Sequence, residues 1–263
     1  MSIQGGFQAN VYQSAVKGGS TAANHVGITT RITPIVEPNN IEARGTGRRG
    51  LYNILLGMIE PRLTLDILLN DKTLLTTYQN GQTAMPFLHI KTGSIGITLT
   101  NVYVNRCSVI CRHNEGLTAT LELWAESGES LAIQTWGNPS VTFYRWLDTL
   151  LAIGGVTETQ WWEWRYEINN NLQRLGNVLS GATREIVAKH RAVTGSLVKD
   201  LRSWSEFIGM MNTASEQADT SITITLAGSI LINSDGRWGG IEAPHGPEDL
   251  IAKRFPFTLL DIS

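Results

Sequence analysis

Two stretches of the chain alternate apolar and polar residues in the same way. Ser221–Ile232 reads SITITLAGSILI, with apolar residues separated by threonines. Ser94–Val104 reads SIGITLTNVYV and repeats that spacing, with Ile95, Ile97 and Leu99 in the places of Ile222, Ile224 and Leu226. A period of two predicts half-buried strands. The Ala227–Gly228 step in the later stretch predicts either a strand pair or one strongly bent strand.

The likeness extends to both sides of these stretches. Downstream, Leu117–Ala125 and Phe255–Ile262 both alternate as strands, and upstream, Pro61–Asn70 matches His190–Asp200. The upstream strands precede the central stretches by a similar number of residues. We therefore interpret the chain as two diverged copies of one β-rich domain, too few units for a stacked repeat array.

Helical patterns are fewer. Ser203–Ala218 has a capping box and one apolar stripe, which predicts a helix that covers the second sheet. Ser140–Ile153 has helical spacing before a glycine pair and is also predicted as a helix. In the Trp-rich segment that follows, β-propensity favours a strand at the aromatic end and a helix beyond Asn169. Lys72–Tyr78 is predicted as a helical turn or a strand.

These patterns predict a mainly β fold with α, of the α+β class. The expected organisation is an extended N-terminal arm at 1–30, a first β domain at 31–130, a Trp-rich connecting insertion at 131–180 and a second β domain at 181–263. A chain of 263 residues is long enough to bury two such cores.

Composition adds a constraint on partners. Charged residues make up 17% of the chain and the formal net charge is −2, so the charge balance does not favour general polyanion binding. Few charges imply a surface rich in Ser, Thr, Asn, Gln and Gly, as in proteins that assemble with their own copies. Secreted binding domains share this composition.

The two cysteines, Cys107 and Cys111, are four residues apart in a predicted strand. They share a face but lie about 13 Å apart by the strand rise, too far for a disulfide. Two buried thiols in a reducing compartment is the favoured interpretation over a metal pair, since no second Cys or His pair accompanies them. The first residues lack the pattern of a signal peptide, and no apolar run is long enough to span a membrane. We expect a protein made in the cytosol, with no membrane partner.

No motif indicates catalysis or a cofactor. Residues 45–50 (GTGRRG) fit GxGxxG by letter, but no strand precedes them and Pro61 ends any following helix too early for a dinucleotide site. The five histidines have no metal-like spacing, and we predict surface or turn positions for all of them. Scattered carboxylates are expected to form a solvated rim. The prediction is a protein that is not an enzyme and has no cofactor and no metal.

The tryptophans Trp161, Trp162 and Trp164 have two interpretations. They pack in the core, or they form a contact surface for another subunit, because Trp is favoured at the buried centres of interfaces.

The order of elements resembles a known family. HRAVTGSLVKDL, SWSEFIGMMNTASEQ, SITITLAGSILI and KRFPFTLLDI give a strand, an amphipathic helix, paired Thr-rich strands and a final strand. This order is similar to the tail tube proteins of tailed bacteriophages, and it covers residues 185–263 well and residues 45–126 less well. The short Lys72–Tyr78 segment departs from the family, in which a full helix is expected at that place.

The resemblance implies a tandem duplicated tail-tube fold, with two β-sandwich or half-barrel domains that each carry one packed helix, and a structural role in the virion. Subunits of the family form rings whose sheets join into a continuous β-barrel around a channel, and the rings stack. A chain with two copies would form a pseudo-hexameric ring from three chains, assembled in the host cytoplasm. Implied partners are further copies, the tape measure, baseplate, terminator or sheath proteins, and DNA that passes through the lumen during ejection without specific binding.

Two alternatives stay open. A baseplate-hub or distal-tail protein of the same machinery would form one ring and stop. A carbohydrate-binding β-protein would use the three tryptophans as a sugar platform.

Overall fold

The computed structural model describes residues 9–18, 25–38, 41–43, 53–55, 59–92, 95–131, 142–176, 183–200, 220–239 and 252–260. The first half contains β1 (Ala9–Ser14), β2 (Gly27–Pro38), β3 (Ile41–Ala43), β4 (Asn53–Leu55), β5 (Ile59–Leu69), helix α1 (Thr73–Thr76), β6 (Met85–Thr92), β7 (Ile95–Arg112) and β8 (Thr118–Leu131). The second half contains β9 (Thr149–Ile153), β10 (Val156–Thr157), β11 (Trp161–Asn169), β12 (Gln173–Gly176), β13 (Thr183–Val187), β14 (Ala192–Asp200), β15 (Thr220–Leu226), β16 (Ser229–Trp238) and β17 (Ala252–Leu259).

Most of these strands belong to one curled antiparallel sheet of 13 strands. Its path is β10-β9-β15-β16-β17-β14-β11-β7-β8-β5-β2, and β6 joins β1 to the flank of β7. The sheet thus contains one strand order twice: β1-β6-β7-β8-β5-β2, and β9-β15-β16-β17-β14-β11. Each order also has a separate small hairpin inserted in the chain, β3-β4 in the first and β12-β13 in the second.

The core lies on one face of this sheet. A row of directly paired residues crosses β2, β5, β8, β7, β11, β14 and β17: Ile32, Leu65, Leu121, Cys107, Ile168, Val193 and Leu259. All but Ile32 are buried, and Ile32 packs against the same cluster. Apolar burial of this kind is the main stabilising contribution to the fold, at about 25 cal/mol per Å² removed from water.

The mainly β class and most predicted strands are confirmed. The later central stretch is a strand pair, β15 and β16, that turns at Ala227 and Gly228, both with positive φ. The earlier stretch is different: Ser94–Val104 falls within the single long strand β7, apart from Ser94, which lies outside the described residues. Its hairpin partner is β6, so β6 rather than Ile95–Leu99 occupies the place of β15 in the strand order.

Two helix predictions are wrong. Within Ser140–Ile153 the described residues form a short 3-10 turn at Trp146–Asp148 and then strand β9, which pairs with β15. The leucines at helical spacing alternate in burial instead, because pairing with β15 buries Leu151 and leaves Leu150 exposed. Beyond Asn169 the chain forms β12 and not a helix, because a second strand, β13, is available to pair with it.

Helix content is low, so the α+β part of the predicted class is not confirmed. The described residues contain one α-helix, α1, with four residues, within the predicted Lys72–Tyr78 segment. The predicted helix at Ser203–Ala218 lies outside the described residues, as does the 45–50 loop. The predicted insertion 131–180 contributes β9 and β11 to the main sheet, in the places that β1 and β2 hold in the first order.

Candidate functional site: a polar sheet face with open edges

The face of the sheet opposite the core carries a continuous polar row. Eight directly paired residues cross β2, β5, β8, β7, β11, β14, β17 and β16: Arg31, Asp66, Thr120, Ser108, Glu167, Thr194, Thr258 and Arg237. We call this set the polar row. Alternation along each strand produces it, because most neighbours of these residues along their strands are buried on the core side; Thr30, at the bulge before Arg31, is exposed.

The charges of the polar row balance, and two arginines near it are paired with carboxylates. The polar row itself contains two arginines and two carboxylates, so its formal charge is zero. One row away, Arg106 Nε lies 3.0 Å from Glu167 Oε1. Two rows away on the other side, Arg112 Nε donates to Glu163 Oε2 at 2.7 Å. The hydrogen bond and the negative charge of Glu163 raise the pKa of Arg112. Arg165, on the same face of β11, donates instead to Ser196 Oγ at 3.0 Å, so the balance of charge holds for the polar row and not for the whole face.

The two strand orders meet at the β7–β11 pair. Seven residues of β11, Glu163–Asn169, pair in antiparallel register with Arg106–Arg112 of β7. Charged and apolar residues alternate over Glu163–Ile168 in the sequence, and this alternation could have identified β11 as a strand of the main sheet. Only the structure shows that both of its flanks are paired, since β14 covers the other side.

The sheet ends in open edges. Among the described residues, β2 has β5 as its single strand partner along Gly27–Pro38. This edge carries a bulge between Thr29 and Arg31 and a proline at Pro34, features that limit indiscriminate pairing of edge strands. At the other end of the path β10 is only two residues long. The edge of β2, which is 12 residues long, is the one that offers a template for pairing with another chain.

The three predicted contact tryptophans have different surroundings. Trp164 is fully buried and stacks on Tyr166 with ring centroids 6.1 Å apart, whereas Trp161 is partly buried against the core. Trp162 is 44% exposed and lies edge-on to His113, whose ring centroid is 4.2 Å from that of Trp146. The subunit-contact role stays a prediction, and Trp162 is the member with a large exposed surface.

The prediction that all histidines lie at the surface or in turns is wrong for two of them. His25, Tyr12 and His89 are cross-strand neighbours, and all three are buried. His89 Nδ1 lies 3.0 Å from Thr98 Oγ1, and its Nε2 accepts from Gly18 N–H at 3.2 Å. Burial lowers the pKa of both His25 and His89. The sequence around His89 does not reveal its burial, because strand β1, which pairs with β6, is distant from it in sequence.

Both cysteines are free and buried, as predicted. Burial raises the pKa of each thiol to about 12. Among the residues with described positions, no group of three or more His, Cys, Asp or Glu side chains could hold a metal ion. Within the same residues, no helix is long and apolar enough to cross a membrane.

Comparisons with known proteins provide no identification. No protein-family model matches the chain, and no curated protein sequence matches it.

Proposed function

We propose that the chain is a tail tube subunit of a tailed bacteriophage, which forms trimeric, pseudo-hexameric rings that stack around a channel for DNA. The observation that carries the proposal is the doubled strand order within one curled sheet. Two tandem copies of one six-strand unit, joined edge to edge through β7 and β11, are what a pseudo-hexameric ring of three chains requires. The resemblance of the elements to the tail tube family supports the same assignment.

The two faces of the sheet support a channel wall. The apolar face packs into the core, and the polar row would face the lumen. Lys and Arg that contact phosphates bind DNA strongly, whereas arginines compensated by neighbouring carboxylates do not provide net attraction. A neutral polar lining therefore suits DNA that must slide without being held.

The open edge of β2 supports assembly with further copies. Unpaired backbone N–H and C=O groups on an edge strand are satisfied when another strand pairs with them, and closure of a ring removes the edges altogether. The proposed partners are therefore neighbouring copies in the ring, rings above and below, and the other tail proteins at the tube ends. The proposed location is the virion tail, with assembly in the host cytoplasm.

Negative-stain electron microscopy of the purified protein over a range of concentrations tests the proposal. We expect rings with threefold or pseudo-sixfold symmetry and an open channel, which stack into tubes as concentration rises. Rings that never stack would favour the baseplate-hub or distal-tail alternative. Compact particles at every concentration and salt tested, together with glycan binding that is lost in Trp162→Ala, would contradict the tube and favour the carbohydrate-binding alternative.

A further inference from the structure

A groove lies on the polar face of the sheet where β7, β11, β14 and β17 run side by side. Its volume is about 360 Å³, and its lining includes these side chains from the four strands: Ser108, Arg165, Glu167, Thr194, Pro256 and Thr258. Gly239 also lines it, and the Gly239 N–H donates to the Pro256 carbonyl oxygen at 2.7 Å. We call this feature the Arg165 groove. Most of the side chains that line it can form hydrogen bonds.

Ser196 fixes the guanidinium group of Arg165. The two residues lie directly opposite each other on β14 and β11, and Ser196 Oγ accepts from Arg165 Nε at 3.0 Å. Because Ser196 is only 2% exposed, its hydroxyl group has little freedom to move, and the hydrogen bond orders the long arginine side chain. The two terminal nitrogens of Arg165 form a planar fork that matches two oxygens of a phosphate group.

No ion pair neutralises Arg165 within the part of the chain that the structure describes. The two carboxylates on the same face of β11 are held by arginines of β7 instead. Glu167 pairs with Arg106 at 3.0 Å, and Glu163 pairs with Arg112 at 2.7 Å. One positive charge therefore remains at the groove.

Hydroxyl groups surround this charge. Three of them line the groove: Ser108, Thr194 and Thr258. Each can rotate its proton toward an acceptor, so the groove offers the guanidinium fork and several O–H donors to one ligand. An anion with more than one acceptor oxygen matches such a set. A phosphate group has that chemistry, and a DNA strand carries one at every nucleotide.

The first strand order differs at the corresponding place. In the polar row, Asp66 of β5 holds the position that Thr194 of β14 holds in the second order. Thr120 Oγ1 donates to Asp66 Oδ1 at 2.7 Å, so the hydroxyl group there is already directed at a carboxylate. The negative charge of Asp66 would repel a phosphate. The groove chemistry therefore belongs to the second order.

We infer that the Arg165 groove binds a phosphate group of the DNA backbone, with Arg165 as the charged contact and the three hydroxyl groups as further donors. This inference deepens the proposed function and rests on it for the source of the phosphate, because DNA in the channel would pass the polar face. One phosphate contact contributes roughly eightfold to a binding constant at about 0.1 M salt. A single contact per chain is thus weak and exchanges rapidly, so DNA still slides.

Nuclear magnetic resonance titration of single chains tests the groove. The Nε–H signal of Arg165 in 15N-labelled protein is assigned by its loss in Arg165→Gln. A short DNA duplex or inorganic phosphate is then added at a constant ionic strength of about 0.1 M, below the concentration at which sedimentation detects rings. We expect the Arg165 signal and the backbone amide signals of Ser108 and Thr194 to shift with both, and a dissociation constant in the millimolar range. In Arg165→Gln, binding measured at the same amides should weaken at least about eightfold.

Three further variants make the result specific. Arg31→Gln removes an arginine of the same face that lies directly opposite Asp66, and it should bind as wild type does. Thr194→Asp introduces the carboxylate found at the corresponding place of the first order and should weaken binding as strongly as Arg165→Gln. Thr194→Asn, of similar size and uncharged, should retain most of the binding. Arg31, Arg165 and Thr194 are exposed, and circular dichroism with thermal unfolding shows that each variant keeps the fold.

The outcomes separate the groove from the function. Absence of a shift at Arg165 with either phosphate source would overturn the groove. A response to inorganic phosphate alone, or an equal loss of DNA binding in Arg31→Gln and Arg165→Gln, would overturn the DNA contact at this place. Rings in wild type alongside any of these results would leave the tube proposal standing. Arg165-dependent DNA binding by a protein that never forms rings would support the groove and contradict the tube.

Discussion

Acidification is expected to weaken the attachment of strand β1 through the two buried histidines. His25 and His89 flank Tyr12 of β1, and neither lies at the surface. The ring nitrogens of His25 have no hydrogen-bond partner among the described residues, so a proton there would bring an uncompensated charge into the core. A proton on His89 Nε2 would remove the acceptor for Gly18 N–H and would face the Val16 carbonyl oxygen, 3.4 Å away.

The charged groups nearby do not compensate these protons. The ion pair of Lys17 and Glu129 lies beyond Thr98 in the same cross-strand row, and its carboxylate is already neutralised by the lysine. Burial raises the pKa of Tyr12, so this side chain stays neutral in the acidic range. Lys91, two residues along β6, carries the same charge as a protonated histidine.

The magnitude follows from linkage. Both folded-state pKa values are lowered, so the unfolded chain binds protons more readily, and stability is lost as the pH falls below the unfolded value of about 6.5. Each pH unit below that value costs about 1.4 kcal/mol per histidine until the folded form also protonates. Between pH 7.5 and pH 5.0 the upper limit is therefore about 2 kcal/mol for one histidine and about 4 kcal/mol for both.

Urea unfolding of dilute protein between pH 5.0 and 7.5 measures this cost. The double variant His25→Phe with His89→Gln removes both titrating groups, and its free energy of unfolding should fall less on acidification than that of wild type. His190→Gln, at an exposed position, is the matched control and should follow wild type. The double variant and wild type share all other titrating groups, whose contributions therefore cancel in the difference between them. If the double variant and wild type lose the same free energy between pH 7.5 and pH 5.0, the reasoning is refuted.

Three further changes test the packing of the sheet. Trp164→Ala should lower the free energy of unfolding by about 3–5 kcal/mol, because it empties a fully buried site. Trp162→Ala should lower it clearly less, because the Trp162 side chain is 44% exposed, and urea unfolding of both variants measures the difference. Gly195→Ala should destabilise the protein by about 1–3 kcal/mol, because an added Cβ would lie 2.3 Å from a ring carbon of Phe257, and a lower melting temperature checks it. The two buried cysteines should react with a thiol reagent at pH 8 only as fast as the protein opens, because burial raises the pKa of each to about 12. Rapid labelling of the native protein, followed by absorbance, would contradict that burial.

The sequence by itself determined the individual strands. Alternation at Ile222, Ile224 and Leu226 has a period that fits no helix, so the strand there follows from local pattern alone. The burial of Cys107 and Cys111 follows from the same pattern, since residues four apart on a strand share a face. The mainly β class could therefore be predicted from the sequence, because the apolar positions of each half-buried strand show which of its sides faces the core.

Tertiary structure decided which strands pair and which side chains form the polar row. The leucines of Ser140–Ile153 fit a helix as well as a strand, and only the edge of β15 selects the strand. The burial of His89 has no local signal, because strand β1, which pairs with β6, is remote from it in sequence. The place of β11 at the junction of the two units depends on its pairing with β7, about 50 to 60 residues earlier, and with β14, about 20 to 40 residues later. Pairing between distant strands leaves no periodicity in the sequence of either strand.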